Sequence, residues 1–197
     1  VEVIPIKTDT LPPADHTNCY LVGDPEGELV VVDPAVRMRE DMEALATAVE
    51  RHKGEPKAVV FTHSHSDHLA DMSLLREALD VPVWGSDHTS KSVPCDRILT
   101  DGEHIKLGNQ TWTVLITPGH HPGHVCLYSQ AGLVAGDMLA GIGTILVPSV
   151  TGDMNQYLAQ MRRIKALKPH LVFPSHGPVV AIPGRLIDHY ITHRSAR

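Results

Sequence analysis

The 197-residue chain is long enough to bury roughly 70% of its unfolded surface, so it needs neither disulfide nor metal merely to hold together. A formal net charge of -6 and 4% aromatic residues argue against a general polyanion-binding face and against a base-stacking platform. No apolar stretch approaches the ~20 residues that span a bilayer, so no membrane partner is expected.

In chain order, short apolar or β-branched runs bounded by Gly, Pro or Asp predict strands over Val1–Lys7, Thr17–Val22, Leu29–Asp33 and Ala58–Phe61. Helical spacing predicts a helix over Glu40–His52 between the third and fourth of these, and a second over Leu69–Leu79. Further strands follow over Thr111–Ile116, Val125–Tyr128, Leu133–Ala135 and Leu171–Phe173. The clearest helix runs from Asp153, an N-cap residue, to Leu167, with Pro169 just past its end. Its stripe of Met154, Tyr157, Leu158, Met161 and Ile164 reads as core, while Arg162, Arg163, Lys165 and Lys168 read as a solvated face. Pro183 opens a last helix through about Arg194. Two β-rich halves with helices outside them imply a layered α/β sandwich, one domain over residues 1–197.

Cys19, Cys95 and Cys126 are scattered, with no C-x-x-C pair, so a zinc ribbon and a disulfide framework are both unexpected. Cys19 and Cys126 sit inside apolar runs and read as small core residues. The first residues lack a basic-then-apolar leader pattern, and a cytoplasmic location is expected. The chain opens on Val1 rather than Met, which leaves a removed leader open.

The run Phe61-Thr62-His63-Ser64-His65-Ser66-Asp67-His68 places three imidazoles and one carboxylate within six residues, directly after a buried strand. Strand ends in open α/β sheets are where ligands bind, and imidazole with carboxylate suits zinc, iron or manganese. His63 and His65 alternate, so both leave the same face of an extended segment, while Asp67 and His68 are free to serve a second ion. More ligands are expected from other strand-ending loops: Thr117-Pro118-Gly119-His120, Ala135-Gly136-Asp137, and Pro174-Ser175-His176. An anionic Asp137 is suited to bridge two cations.

The motifs TNCYLVGD, VVVDPA, FTHSHSDH, TPGHHPGH, AGDM and PSHGP resemble those of the metallo-β-lactamase superfamily, in the same order and over nearly the whole length. The resemblance implies the four-layer αβ/βα sandwich with a two-metal site at one edge of the paired sheets. It implies His63, His65 and His120 on the first metal, Asp67, His68 and His176 on the second, and Asp137 between them. It also implies His124 as packing or support behind the ligands. His121 is expected to face solvent, and His16 to lie in a surface loop overhanging the site.

The implied activity is that of a hydrolase with two Zn2+ ions, or iron or manganese in their place, in which activated water attacks a small thioester, lactone or β-lactam. Asp67 would orient the nucleophile or pass on its proton. Later motifs, including Gly152-Asp153-Met154 and SHGPVV, resemble the branch that holds a mitochondrial endoribonuclease and fungal thioesterases, with glyoxalase II as a relation. That branch continues past its last helix into a small winged domain, whereas this sequence ends at Arg197. A metal-dependent ribonuclease and a mononuclear iron persulfide dioxygenase are the alternatives. Low aromatic content and negative charge favour a small-molecule substrate over nucleic acid; oligomeric state is not legible.

Overall fold

A computed structural model describes residues 1–195 of the protein, so the last two residues of the expected 1–197 domain lie outside the described residues. β1 (Glu2–Lys7), β2 (His16–Gly23), β3 (Glu28–Val32), β4 (Glu55–Val60), β5 (Val83–Gly85) and β6 (Arg97–Ile98) form one sheet in that order. The second sheet takes β7 (His104–Leu107), β8 (Gln110–Ile116), β9 (Val125–Ser129), β10 (Gly132–Gly136), β11 (Leu171–Pro174) and β12 (Val180–Ala181), again in chain order across the sheet. Helices α1 (Arg39–His52) and α2 (Met72–Ala78) belong to the first half, and α3 (Met154–Leu167) and α4 (Gly184–Ser195) to the second. Among the described residues no helix is long and apolar enough to cross a membrane.

Strand periodicity builds the layers. Along β2 and β3, Cys19, Leu21, Leu29 and Val31 point outward and pack with Met42, Leu45 and Val49 of α1 and Leu75 of α2. Their neighbours Tyr20, Val22, Val30 and Val32 point inward and meet Trp112, Val114, Leu127 and Phe173 of the other sheet. On that sheet's far side, Cys126, Leu133 and Val172 pack with Tyr157, Met161 and Ile164 of α3 and Ile187 and Tyr190 of α4. The order helix, sheet, sheet, helix is the expected αβ/βα sandwich. Both faces of each central strand are buried, which is why β2 and β3 read as continuous apolar runs. Trp112 is fully buried between the sheets and donates its indole N–H to Gln110 Oε1 at 3.1 Å; truncation to Ala would cost about 3–5 kcal/mol.

The two sheets are tied together at one end. The Val125 N–H donates to the Thr62 carbonyl at 2.8 Å, and the Asn18 N–H to the Ser175 carbonyl at 2.8 Å. Asn18 Nδ2 and the Tyr20 hydroxyl both donate to the Pro174 carbonyl, at 2.9 and 2.7 Å. This is the end at which β4, β8, β10 and β11 stop, so their following loops are held close across the sheet-to-sheet gap.

Three differences from the sequence reading have local causes. α2 begins at Met72 rather than Leu69, because Asp71 caps it by accepting from the Ser73 and Leu74 N–H groups at 2.9 and 3.1 Å. β5, β6, β7 and β12 were not expected; β5, β6 and β12 hold only two or three residues each, too few for a periodic signal. Arg163 does not sit on a free solvated face: it bonds the Ile116 carbonyl at 3.2 Å and pairs with Asp101 at 2.9 Å, pinning α3 to the end of β8.

Candidate metal centre

Each of the predicted ligands stands just after a strand has ended. His63, His65, Asp67 and His68 follow β4, His120 follows β8, Asp137 follows β10, and His176 follows β11. The structure brings all seven together as three overlapping groups: His63 with His65 and His120, His63 with His68 and Asp137, and Asp67 with His68 and His176. Within each group the facing donor atoms lie within 4.8 Å of one another.

The first group is a triangle of ring nitrogens. His120 Nε2 lies 3.3 Å from His63 Nε2 and 2.9 Å from His65 Nδ1, and those two are 3.0 Å apart. Four donors at zinc-to-nitrogen distances of about 2.0–2.1 Å would stand near 3.3 Å from each other, so the triangle has the span of one tetrahedral face. The second group is looser: His176 Nε2 lies 3.5 Å from Asp67 Oδ2, and His68 Nε2 lies 3.9 Å from Asp67 Oδ1. Asp137 joins the two. Its Oδ2 is 3.3 Å from His120 Nε2, while its Oδ1 is 3.4 Å from His176 Nε2 and 3.5 Å from His68 Nε2.

Outer partners fix which nitrogen of each ring carries the proton. Thr62 Oγ1 donates to Asp33 Oδ2 at 2.6 Å, so it accepts from His63 Nδ1–H at 3.0 Å. His68 Nδ1–H donates to the same buried carboxylate oxygen, Asp33 Oδ2, at 2.9 Å. His120 Nδ1–H donates to the Leu146 carbonyl at 2.7 Å, and His176 Nδ1–H to the His16 carbonyl at 3.1 Å. In the neutral form of all four rings, the form that binds metal, Nε2 is left as a lone pair aimed inward. Lone pairs facing each other at 3 Å repel; a cation among them turns that repulsion into attraction. Buried His68 Nε2 and Asp137 Oδ1 have no hydrogen-bond partner, an arrangement that is costly unless a cation meets them. The donor set therefore fits one or two divalent transition-metal ions, and zinc or iron satisfies it equally.

Burial and neighbouring imidazoles hold His63 well below the usual imidazole range, and burial pushes His65 down to about 4 and lowers His120. All three are thus neutral, the form that binds metal. His68 runs the other way. Burial opposes its charge, but the Asp137 and Asp33 carboxylates outweigh it and raise the imidazole well above its ordinary value. Burial likewise opposes charge on Asp137, yet His68, His176 and His120 hold its carboxyl far below the carboxylate range.

A cleft of about 280 Å³ opens over these groups, reaching His65, Asp67, His120, Asp137 and His176 at its floor. Its walls are apolar: Leu11, Pro12 and Pro13 on one side, Ile142, Ile145 and Leu146 on the other. Among the described residues no Lys or Arg lines it, and Asp9 is the charged wall residue.

Several residues outside the expected ligand set also shape the site. Asp33, within the VVVDPA motif and just past the end of β3, carries both His68 and the Thr62 hydroxyl from a left-handed backbone position (φ 46°). His16 is the first residue of β2 rather than a surface loop, and its carbonyl orients His176. His121 does not face solvent: it is buried, accepts from the Gly123 N–H at 3.1 Å, and turns its Nε2 to Ser64 Oγ at 3.3 Å. His124 is buried behind Asp137, as the motif implied. An Asp just past a buried strand and before Pro was the legible signal for Asp33; nothing in the sequence marks the carbonyls of His16 and Leu146.

Comparison with known proteins gives the same picture. The model of the metallo-beta-lactamase superfamily matches residues 12–94 and 89–176. A beta-lactamase-like protein 2 homolog of Caenorhabditis elegans is 28% identical over 188 residues, covering 92% of this chain and 62% of that protein. A hydroxyacylglutathione hydrolase of Yersinia pestis is 31% identical over 161 residues, covering 80% of this chain and 60% of that protein. The chain thus spans a little under two thirds of the length of these relatives. The crystal structure of TTHA1623 in a di-iron-bound form superimposes with a TM-score of 0.73 at 29% identity, covering 93% of this chain and 97% of that one. With the sandwich, the ordered motifs and the strand-end histidines all accounted for, the chain belongs to the metallo-beta-lactamase superfamily.

Proposed function

We propose that this chain is a two-metal hydrolase of a small ester-like bond, a thioester before a lactone or β-lactam, with zinc as its resident ion. One observation carries the reading: Asp137 turns one carboxylate oxygen to His120 and the other to His68 and His176, at 3.3 to 3.5 Å. A lone ion would use one of those oxygens. Likeness to a hydroxyacylglutathione hydrolase and to a protein that holds two irons supports the same reading.

His63, His65 and His120 would hold the first ion, Asp67, His68 and His176 the second, and Asp137 both. When bound, such ions supply a water acidified from 15.7 toward about 7 and a Lewis acid for the acyl oxygen. The chain's own residues do the rest. The apolar walls of Leu11, Ile142 and Leu146 hold the acyl group and thin out bulk water around it. Asp67, partly exposed at the cleft floor, orients the attacking water and takes its proton. Water oxygen bonds to the acyl carbon, the carbon–sulfur bond breaks, and the proton carried by Asp67 ends on the departing sulfur. With no Lys or Arg among the described lining residues, a polyanion would find no side-chain counter-charge beyond the ions themselves, which favours a small substrate over RNA.

The test is turnover of a panel of thioesters, lactones, β-lactams and RNA by zinc-loaded protein, beside its Asp67→Asn variant. Thioester or lactone hydrolysis that falls about 100-fold or more in Asp67→Asn is expected. Cleavage confined to RNA, or turnover that consumes oxygen, would overturn the proposal.

A further inference from the structure

A second cleft, of about 410 Å³, lies directly behind the first. The two share Pro13, Ala14 and Ile142 as common walls. His176 lines the first cleft, and the next three residues, Gly177, Pro178 and Val179, line the second. The ridge between them is rigidly built. A side chain on Gly143 would meet Pro13 Cδ at 2.8 Å, and one on Gly177 would meet the Ile142 backbone nitrogen at 2.4 Å. Loops 11–14, 141–143 and 176–179 are thus packed against one another as a saddle.

The surface chemistry of this region is unusual for the molecule. Among the described residues ten large hydrophobics are exposed; five of them, Val3, Leu11, Ile142, Leu146 and Val179, line these two clefts. Isolated exposed apolar residues need no explanation, but a contiguous set beside a reactive centre marks a ligand surface. Among the described residues no Lys or Arg lines either cleft. The second cleft's carboxylate, Asp15, is exposed at the rim and already engaged by His16 Nδ1 at 2.7 Å.

We propose that the second cleft receives the tail of the substrate, an unbranched and uncharged acyl chain of medium length that crosses the Ile142 saddle from the metal centre. The inference rests on the hydrolase reading for the position of the acyl carbonyl, and it narrows the substrate to acyl esters whose specificity lies in the chain. Beyond the metal centre itself, an anionic carrier group would find no Lys or Arg among the described residues of either cleft, so recognition falls on the hydrocarbon.

Two measurements test it. The first is kcat/KM of the zinc-loaded protein over acetyl, butanoyl, hexanoyl, octanoyl and decanoyl esters of one thiol. Each methylene fully withdrawn from water adds about fourfold to affinity, so even a half-open groove should give about tenfold or more between butanoyl and decanoyl. The second is methyl NMR of the same protein titrated with decanamide, an uncharged and poorly hydrolysed probe, against acetamide. Decanamide should shift the methyls of Val3, Ile142 and Val179, acetamide should not, and Val179→Asp should weaken decanamide binding about tenfold or more.

Ester turnover with a flat chain-length profile would overturn the tail site and leave the hydrolase standing. No ester turnover, with decanamide still shifting those methyls, would overturn the hydrolase and leave the tail site standing. Shifts at Val3 and Val179 that follow protein concentration rather than decanamide would assign the cleft to a second copy of the chain and overturn the inference.

Discussion

The backbone N–H of Asp137 donates to Nε2 of the fully buried His124 at 2.9 Å. That bond leaves His124 with its proton on Nδ1, which Thr117 Oγ1 accepts at 2.8 Å. An imidazole outside the three donor groups therefore fixes where the Asp137 side chain begins. His124→Phe keeps most of the volume and removes the acceptor. The orphaned N–H should cost about 1–3 kcal/mol of stability in urea unfolding, and zinc affinity in chelator competition should fall about 10- to 100-fold. Affinity equal to that of the parent would show that Asp137 holds its place without His124.

His120 is the predicted ligand most exposed to a clean deletion, since its loop is pinned elsewhere by the Asp153 N–H bonding the Gly119 carbonyl at 2.7 Å. His120→Ala should leave the far-ultraviolet circular dichroism unchanged, lower turnover by about 1,000-fold or more, and remove one metal equivalent. Full activity in that variant would place the reacting centre somewhere else.

Acid should empty the two positions separately. At the first, His63, His65 and His120 are all lowered, His65 to about 4, so protons compete for their lone pairs only well below the free-imidazole value. At the second, the Asp137 and Asp33 carboxylates raise His68 despite its burial, so metal must displace a proton there even above that value. Zinc affinity at the second position should keep rising as pH climbs through about 6.5 and beyond, while the first stays flat over the same range. Competition titrations at stepped pH read this directly. Loss of both ions in a single step at one pH would contradict it.

A strap from α4 also reaches the centre. The Tyr190 hydroxyl accepts from the Ala140 and Ile145 N–H groups, each at 3.3 Å, and Arg194 donates to Thr144 Oγ1 at 2.9 Å and to the Ile145 carbonyl. The next carbonyl, that of Leu146, holds His120. Tyr190→Phe leaves two buried N–H groups unmet and should lower stability by about 1–3 kcal/mol. It should also weaken zinc at the first position more than at the second, which pH-stepped competition separates. Equal weakening at both would make the strap a general support only.

The sequence was most readable where one element carries its own signal. Asp153 caps α3 as its position predicts, accepting from the Asn155 and Gln156 N–H groups at 2.8 and 3.0 Å. Each candidate ligand follows a strand whose apolar run was visible, so the convergence of His63, His120, Asp137 and His176 could be expected before any contact was known. β7 carries a signal of its own: Ile105 and Leu107 alternate into the core, and Gly108-Asn109 closes a two-residue hairpin with β8. What no pattern announces is backbone chemistry at long range. The Leu146 and His16 carbonyls act through atoms every residue has, and His121 packs against the distant His63, His65 and His88 rings and turns to Ser64, which periodicity does not bring near it.

Whether two ions are shared through Asp137, as proposed, is decided by metal stoichiometry of the native chain and of Asp137→Ala. Zinc titration of stripped protein, read by elemental analysis after gel filtration, should give about two equivalents for the native chain. The variant, still folded by circular dichroism, should retain less than about one equivalent. A single equivalent in the native chain, or two retained without Asp137, would contradict the claim.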